Sequence, residues 1–477
     1  MNNISSPPRP EPNRIAVAHT SLPLSEIATG ERRLEGERYL LGGYALRQQV
    51  KNVPSTALVD FADVWQPGRL KGITVSSEHG VPYFTATQVF DIRPNTRKWL
   101  APSHVDDIEK LYVEPGWILV TRSGTVGDAI ISYAPHVGVI ISDDLLRVQV
   151  RNPAHLGYMY GFLRSRFARS MLVSDQYGSI IKHLEPAHLQ KLPVPLVGDD
   201  VYEPLTERVR TIYRLRDEAF NATVGAEAMY AAELGGESAR LPEDATFSVA
   251  ALALFPRRRR LDGFHYNPRA RRALEALNSG GRRVTSLSLL GYKILGVPRF
   301  KHMYSADGIP YLDSEDIFKV APNLTKFIPP IHKKDAESYY VKRGWLLMAC
   351  SGQIYGLNGR VVLADAWHEN RILSNHVVRI VPPDDADSVP PSYVKMVLGH
   401  PVFGRPLVVR WAFGTEVPEI DPNDLRDFPV VRLGDDAERE IAGQVERANA
   451  LRRQADKEEN ALVAEVEHKV AEMVGVG

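Results

Sequence analysis

The sequence predicts an α+β protein in which one globular module occurs twice, each copy is followed by a long helix, and the two helices pair. Three observations predict it: a repeat in fixed register, strand-like runs around one short helix in each copy, and a single apolar stripe on each long helix. The repeat is the strongest. Gly80-Val81-Pro82-Tyr83-Phe84 recurs as Gly308-Ile309-Pro310-Tyr311-Leu312, Val113-Glu114-Pro115-Gly116-Trp117 as Val341-Lys342-Arg343-Gly344-Trp345, and Ser123-Gly124 as Ser351-Gly352. The offset is 228 positions each time (80 to 308, 113 to 341, 123 to 351). A period of that length is a whole domain, not a solenoid unit.

Small shifts extend the repeat in both directions. Ile141-Ser142 and Leu146-Arg147 match Leu373-Ser374 and Val378-Arg379, and Tyr177-Gly178-Ser179 matches Phe413-Gly414-Thr415. Each module opens on an Arg-Leu-acid-Gly word (Arg33 to Gly36, Arg260 to Gly263) and closes on Pro-Val (Pro193-Val194, Pro429-Val430). The expected organisation is a flexible arm at 1–13, modules at 14–200 and 241–433, and helices at 201–240 and 434–477. Within a module, strands are expected at Trp117 to Thr121, Val137 to Ile141 and Leu145 to Val150, with one helix near Leu156 to Met171. That content suggests a curved or barrel-like sheet. Trp117 and Trp345 each enter an apolar strand and are expected in the core.

The segments after each module read as helices. Leu205, Val209, Ile212, Leu215, Ala219, Ala222, Ala226 and Met229 are spaced by threes and fours, with Pro204 expected in the first turn. Ile441, Val445, Ala448, Leu451, Ala455, Leu462, Val466, Val470 and Met473 repeat the pattern behind Asp435 and Asp436. At ~1.5 Å per residue the helices span roughly 45 and 57 Å. One stripe on so long a helix needs a partner, and the economical one is the other helix, as a coiled-coil pair holding the modules apart like a dumbbell.

Composition excludes several classes. A single cysteine, Cys350, rules out a disulfide framework or a Cys-rich zinc site. No apolar run reaches membrane-spanning length, and the start of the chain lacks a secretory signal, so a cytoplasmic protein is expected. Basic and acidic residues balance at 58 each, yet the loops Arg93 to Trp99, Arg257 to Arg260 and Lys293 to Tyr304 are locally basic, as phosphate contacts require. Such loops also suit ordinary solvated surface. No phosphate loop, Asp/Asn-Pro-Pro-Tyr/Phe word, His-Glu-x-x-His, Gly-x-Ser-x-Gly or Cys-x-x-Cys occurs. Asp313, Glu315 and Lys319 imitate a nuclease pattern, but the first module has Thr85 and Thr87 at the first two places. His183 and His188 have no histidine counterparts in the second module and are expected to be surface or capping residues, not metal ligands.

Several words point to a family. Arg122-Ser123-Gly124-Thr125-Val126-Gly127, Ile140-Ile141-Ser142-Asp143-Asp144-Leu145, Tyr177 to Pro186 and Arg260-Leu261-Asp262-Gly263-Phe264-His265-Tyr266 resemble the specificity subunit of type I restriction-modification enzymes, across about residues 14 to 475. The resemblance implies that each module is a target-recognition domain reading one half of a split sequence in double-stranded DNA. It implies antiparallel helices with internal pseudo-two-fold symmetry, serving as a ruler and as the docking surface for two methyltransferase subunits. Those partners would bind S-adenosylmethionine and methylate adenine at N6. Motor and nuclease subunits, where present, would use ATP and Mg. This chain would hold no cofactor and no metal and would catalyse nothing.

Base-edge reading needs Arg, Asn, Gln or hydroxyl side chains, with phosphate contacts setting position. The DNA-binding candidates in the first module are Arg97, Lys98, Arg122, Ser123, Thr125, Tyr177, Ser179 and Lys182. In the second they are Lys326, Ser351, Gln353, Tyr355, Arg410 and Thr415. The shared Ser-Gly residues also suit a purely structural turn, because a residue common to both modules cannot make them read different sequences. Two further readings stay open: a nuclease with an unrecognised site, and a scaffold without DNA binding.

Overall fold

The computed structural model describes residues 20–29, 33–105, 107–178, 182–236, 246–254, 260–299, 303–305, 307–329, 339–385 and 388–475. The expected arm at 1–13, Ser179, Arg257, Lys301 and His302 lie outside the described residues.

The two halves repeat one strand arrangement. A four-stranded antiparallel sheet in the first half has the order Ala62–Trp65, Leu145–Val150, Ile118–Thr121, Ala129–Ile131. Its counterpart runs Lys293–Leu295, Val377–Val381, Leu346–Ala349, Val361–Leu363. Registers agree: Val120 faces Leu146 and Ala129, and Met348 faces Val378 and Val361. The strands Ile118–Thr121 and Leu346–Ala349 are buried throughout, so their sequences are continuous apolar runs without alternation. The Gly-x-Pro-Tyr words form a second, smaller sheet in each half. There Tyr83 and Phe84 pair in parallel with Ile140 and Ile141, and Tyr311 and Leu312 with Ile372 and Leu373. Each closing Pro-Val word pairs with a strand at the start of its own module (Thr56 with Val194, Thr285 with Val430).

The repeated Ser…Leu-Arg words have a shared physical cause. Arg147 and Arg379 are almost fully buried and have no carboxylate partner among the described residues. The guanidinium of Arg147 donates to the carbonyls of Ile141, Ser142 and Leu145, and that of Arg379 to Leu373, Ser374 and Val377. Each guanidinium thus adds donors to the carbonyls of the turn leading into its sheet strand, where Ser142 O and Ser374 O also accept the Leu145 and Val377 amides. Burial pushes both guanidinia down to about 10.

Three local expectations change. The helix near Leu156 to Met171 is two helices, Leu156–Arg164 and Arg166–Asp175, because Ser165 turns extended and caps the second by accepting from the Ala168 amide. Only Ile140–Ile141 of the Val137 to Ile141 run is strand, since Ala134–His136 forms a 3-10 turn before it. Trp117 and Trp345 are half-buried at the margins of the cores.

The long helices are Asp199–Glu233 and Asp435–Val474, 35 and 40 residues, or roughly 52 and 60 Å. The first begins before 201 because Gly198 leads into Asp199 and Asp200, whose charges favour a helix N-terminus. Pro204 therefore lies inside the helix, beyond its first turn. The helix ends well before 240, where Gly235 and Gly236 take positive φ. The helices run in opposite senses: Arg208 pairs with Glu465, Arg216 with Glu459, and Arg452 donates to Thr223. Their buried positions repeat at an offset of 236 (202 to 438, 209 to 445, 219 to 455, 230 to 466). The apolar stripes missed the polar members of this face: Arg216, Thr223 and Glu459 are buried, while Ala222 and Met229 are only partly so.

The halves are not held apart. The first helix contributes Leu205, Val209 and Ile212 to the core of the first half and Ala226, Tyr230 and Leu234 to that of the second. The second helix starts in the second core with Ile441 and Val445 and ends in the first with Leu462, Val466 and Val470. Each helix thus crosses both cores. The modules also meet directly. Asp91 forms an antiparallel bridge with Lys319, flanked by the Ile92 amide on Phe318 O (2.9 Å) and the Val320 amide on Phe90 O (2.8 Å). Positions 91 and 319 are 228 apart, so the residue pairs with its own repeat counterpart. That is the contact a two-fold axis requires.

Candidate functional site

Two related clefts flank the strand bridge, each lined by one half's turn after the Ser-Gly word and by residues that follow the other half's Pro-Tyr word. The larger, about 460 Å³, brings Ser123, Thr125 and Asp128 against Asp313, Lys319 and Lys326, with Arg164 and Arg169 at its wall. The smaller, about 270 Å³, brings Gln353 and Tyr355 against Thr85, Asp91 and Arg97. Thr87, Glu315 and Lys319 line both, so the clefts adjoin.

The turns are shaped by backbone. Gly124 and Gly127 have φ of 73° and 84°, which side chains disfavour. The Thr121 hydroxyl accepts from the Asp128 amide at 2.9 Å and donates to Thr125 O. Gly352 and Gly359 hold the second turn with φ of 118° and 75°, and Asn358 donates to Gly352 O and Pro418 O. The Tyr-Gly-Ser loop and its counterpart lie beside these turns: Ser123 bridges to His183, and Ser351 to Glu419.

Sequence reasoning grouped the candidates by module. The structure combines them across modules: Ser123 and Thr125 share a cleft with Lys326, and Gln353 and Tyr355 share one with Arg97. Thr125, Gln353 and Tyr355 are exposed. Burial lowers the pKa of the Arg97 guanidinium, with Arg360 adding to the effect. Neither Arg97 nor the exposed Lys98 has a carboxylate partner among the described residues, and both can meet an incoming phosphate. The cations of the larger cleft are engaged. Lys326 is bound to Asp313, which raises its pKa, and Arg169 pairs with Asp128 at 3.3 Å.

The remaining candidates stand away from the clefts or are occupied. Arg122 is held by Leu184 O, Asp144 and Glu185, and Tyr177 donates to Glu185. Lys182 pairs with Glu37 at 2.6 Å. The guanidinium of Arg410 lies over the Trp411 ring, 4.9 Å from its centre, and Thr415 is exposed. Ser351 is buried, with its hydroxyl 2.8 Å from His376 Nδ1 and 3.4 Å from Glu419. The carboxylate there meets the serine, not the imidazole, so the order of a nucleophile–base–acid relay is not formed.

The Asp313, Glu315 and Lys319 group is a set of ion pairs. Lys319 sits 3.2 Å from Glu315 and 3.5 Å from Asp316; burial alone would lower its pKa, but the two carboxylates raise it on balance. His188 accepts from the Glu185 amide at a helix start. No group of three His, Cys, Asp or Glu side chains among the described residues is placed to hold a metal.

Arg164, Arg169 and Asp128 belong to the larger cleft and were not anticipated. Arg164 and Arg169 lie on the two short helices, where nothing in the repeat marks them. Asp128 directly follows the Thr125-Val126-Gly127 turn, and that position was the available signal.

No family model matches the sequence, and no curated protein matches it. Among solved structures, the chain is similar to a type I restriction-modification S subunit from M. genitalium, at 13% identity and a TM-score of 0.33, covering 88% of this chain and 96% of that one. It is also similar to the HsdS subunit from Thermoanaerobacter tengcongensis, at 11% identity and a TM-score of 0.25, covering 88% and 95%. The type IIG restriction endonuclease BpuSI matches over 37% of this chain and 29% of its own, at 18% identity and a TM-score of 0.26. Among the described residues, no helix is long and apolar enough to cross a membrane.

Proposed function

We propose that this chain is the non-catalytic DNA-specificity subunit of a type I restriction-modification complex. It is an internal duplication whose two target-recognition modules read the two halves of a split target. The observation that carries the reading is the pair of related turns set about the Asp91–Lys319 bridge. One chain presents two equivalent places whose side chains differ: Thr125 against Gln353, and Arg122 against Cys350. Equivalent geometry with different hydrogen-bonding chemistry suits a duplex target with two different halves. Arg97 and Lys98 are the phosphate contacts, and Gln353, Tyr355 and Thr125 the base-reading candidates.

The antiparallel helices fix the relative orientation of the modules because each is embedded in both cores. At ~3.4 Å per base pair, a rigid assembly fixes how many pairs pass unread between half-sites. The helices' outward charged faces are the proposed docking surface for two methyltransferase subunits. Those subunits supply S-adenosylmethionine chemistry at adenine N6, and motor subunits, where present, supply ATP-driven cleavage. The place of action is the cytoplasm.

The test is a genome-wide map of N6-methyladenine with and without this gene. Loss of methylation at one split motif, two short halves with a fixed gap, is the expected result. An unchanged map, together with no salt-dependent binding to duplex DNA, overturns the reading.

A further inference from the structure

The internal symmetry is broken deep between the helices. In one half the carboxylate of Glu459 is fully buried and receives the Tyr160 hydroxyl at 2.6 Å and the Arg216 guanidinium, with Arg164 at 3.3 Å. An offset of 236 carries Arg216 to Arg452 and Thr223 to Glu459 (216 to 452, 223 to 459). The short helices align on Tyr158 and Tyr393, each donating to a carbonyl of its closing strand, which carries Tyr160 to Lys395. The second half therefore keeps one cation, Arg452 for Arg216, and has Lys395 in place of Tyr160 and Gly399 in place of Arg164, while the carboxylate position is occupied by Thr223.

A cavity of about 60 Å³ lies there, lined by Thr223, Lys395, Asn449 and Arg452, with Arg93, Arg405, His368 and the carboxylates of Glu227 and Asp365 around them. One water needs ~10–15 Å³ of such space, so the cavity has room for an ion of several heavy atoms. Part of its donor set is unspent. Arg452 donates to Asn449 Oδ1 and to Thr223, whereas the buried Asn449 Nδ2 has no hydrogen-bond partner among the described residues. Buried His368 Nε2 has none either, whereas its counterpart His136 Nε2 bonds Val89 O at 3.0 Å. Lys395 makes no hydrogen bond or ion pair among the described residues. Arg93 and Arg453 are satisfied by Glu227 and Asp365, while Lys395, Arg405 and Arg452 have no carboxylate partner among the described residues.

We propose that this cavity binds a tetrahedral oxyanion of the phosphate class, held by Lys395, Arg452 and Asn449, in the place that Glu459 fills in the other half. The cavity touches the Ile92 to Asn95 loop, the second module and both long helices, so a bound anion ties one module to the other. The occupant is either a free oxyanion or a phosphate of the DNA backbone.

The test is thermal unfolding of the full chain in inorganic phosphate against chloride at matched ionic strength. A ligand that binds only the folded state raises Tm with its concentration. Wild type is expected to rise by about 2 °C or more at saturation. Lys395→Met is expected to lose this dependence without a lower starting Tm. Thr223→Glu, which restores the carboxylate, is expected to start higher and to ignore phosphate. Equal phosphate shifts in all three proteins, or no shift in wild type, overturn the proposal. In a parallel ³¹P titration, displacement of phosphate by a short duplex identifies the backbone as the source, and retention identifies a free oxyanion.

Discussion

Replacing Glu459 tests the helix pair at its most exposed point of failure. Glu459→Gln keeps the shape and removes the charge that Arg216 and Arg164 share. Both guanidinia are nearly buried, at 3% and 7% side-chain exposure. Hydrogen bonds to a charged group contribute about 1.5–3 kcal/mol each, so those from Tyr160 and Arg216 would sum to roughly 3–6 kcal/mol if they were independent, with the Arg164 ion pair beside them. They converge on one carboxylate and are not independent. Removal of one partner from a buried ion pair costs about 3–5 kcal/mol, and that is the expected loss. Thr223→Ala, at the equivalent position, removes a neutral hydroxyl that donates to Ala219 O and accepts from Arg452, and should cost about 1 kcal/mol. Urea unfolding followed by far-UV circular dichroism and tryptophan fluorescence measures both, provided the two signals coincide. A loss below about 1 kcal/mol for Glu459→Gln, or an equal loss for the two variants, would refute the assignment of Glu459 as the shared counter-ion.

Further outcomes follow from other contacts. Arg360 and Asp91 form a buried pair across the module junction, with Arg360 Nη2 2.6 Å from Asp91 Oδ1; Arg360→Met should cost about 3 kcal/mol and split the calorimetric transition in two. Arg147→Lys should fail to protect the 141–147 turn from hydrogen exchange, because one ammonium cannot reproduce the planar fork that reaches three carbonyls. Burial pushes the His136 imidazole from 6.5 down to about 4. Between those values the unfolded chain binds the proton and the folded one does not, so stability falls as pH drops from 6.5 to 4, by at most about 3 kcal/mol, and His136→Gln should flatten that part of the profile. Arg97→Ala and Lys98→Ala should each weaken duplex binding across sequences and lower the salt slope by about 1.

What could be read from the sequence was whatever repeats or obeys a local period. The register of 228 positions marked strands that pair alike in the two halves, and three-and-four spacing found both long helices within a few residues at most boundaries. The Ser-Gly turns were visible because glycine marks positive φ. What escaped depends on partners distant in the chain. Arg216 and Glu459 interrupt an apolar stripe and look like solvated charges until each is seen facing the other. Asp91 and Lys319 looked like loop residues, and only folding puts each on its own repeat counterpart. The dumbbell expectation failed for a related reason: periodicity shows that a helix face is buried, not that its two ends enter different cores. The sharing of clefts between modules was not legible, because the bridge sets a module's turn beside the other module's strand.

The two-fold arrangement also explains which residues were free to diverge. A residue on the axis meets its own counterpart, so a change there alters both sides of one contact, and the pairing at 91 and 319 is made mainly by backbone. A residue off the axis appears twice in separate surroundings, and each copy can change alone. Glu459 and Thr223, Tyr160 and Lys395, and Thr125 and Gln353 are such pairs. The first two lie beneath the modules and turn a satisfied ion cluster into a cationic cavity. The third lies in the clefts and turns one hydroxyl into an amide able to pair with adenine. Exchanging Thr125 and Gln353 by the double substitution Thr125→Gln and Gln353→Thr should therefore alter the methylated motif at both half-sites while leaving Tm nearly unchanged, since both side chains are exposed and surface changes usually stay within about 0.5 kcal/mol. An unaltered motif in the methylation map, from a double variant that still binds duplex, would remove these two positions from base reading and leave Tyr355 as the proposed reader.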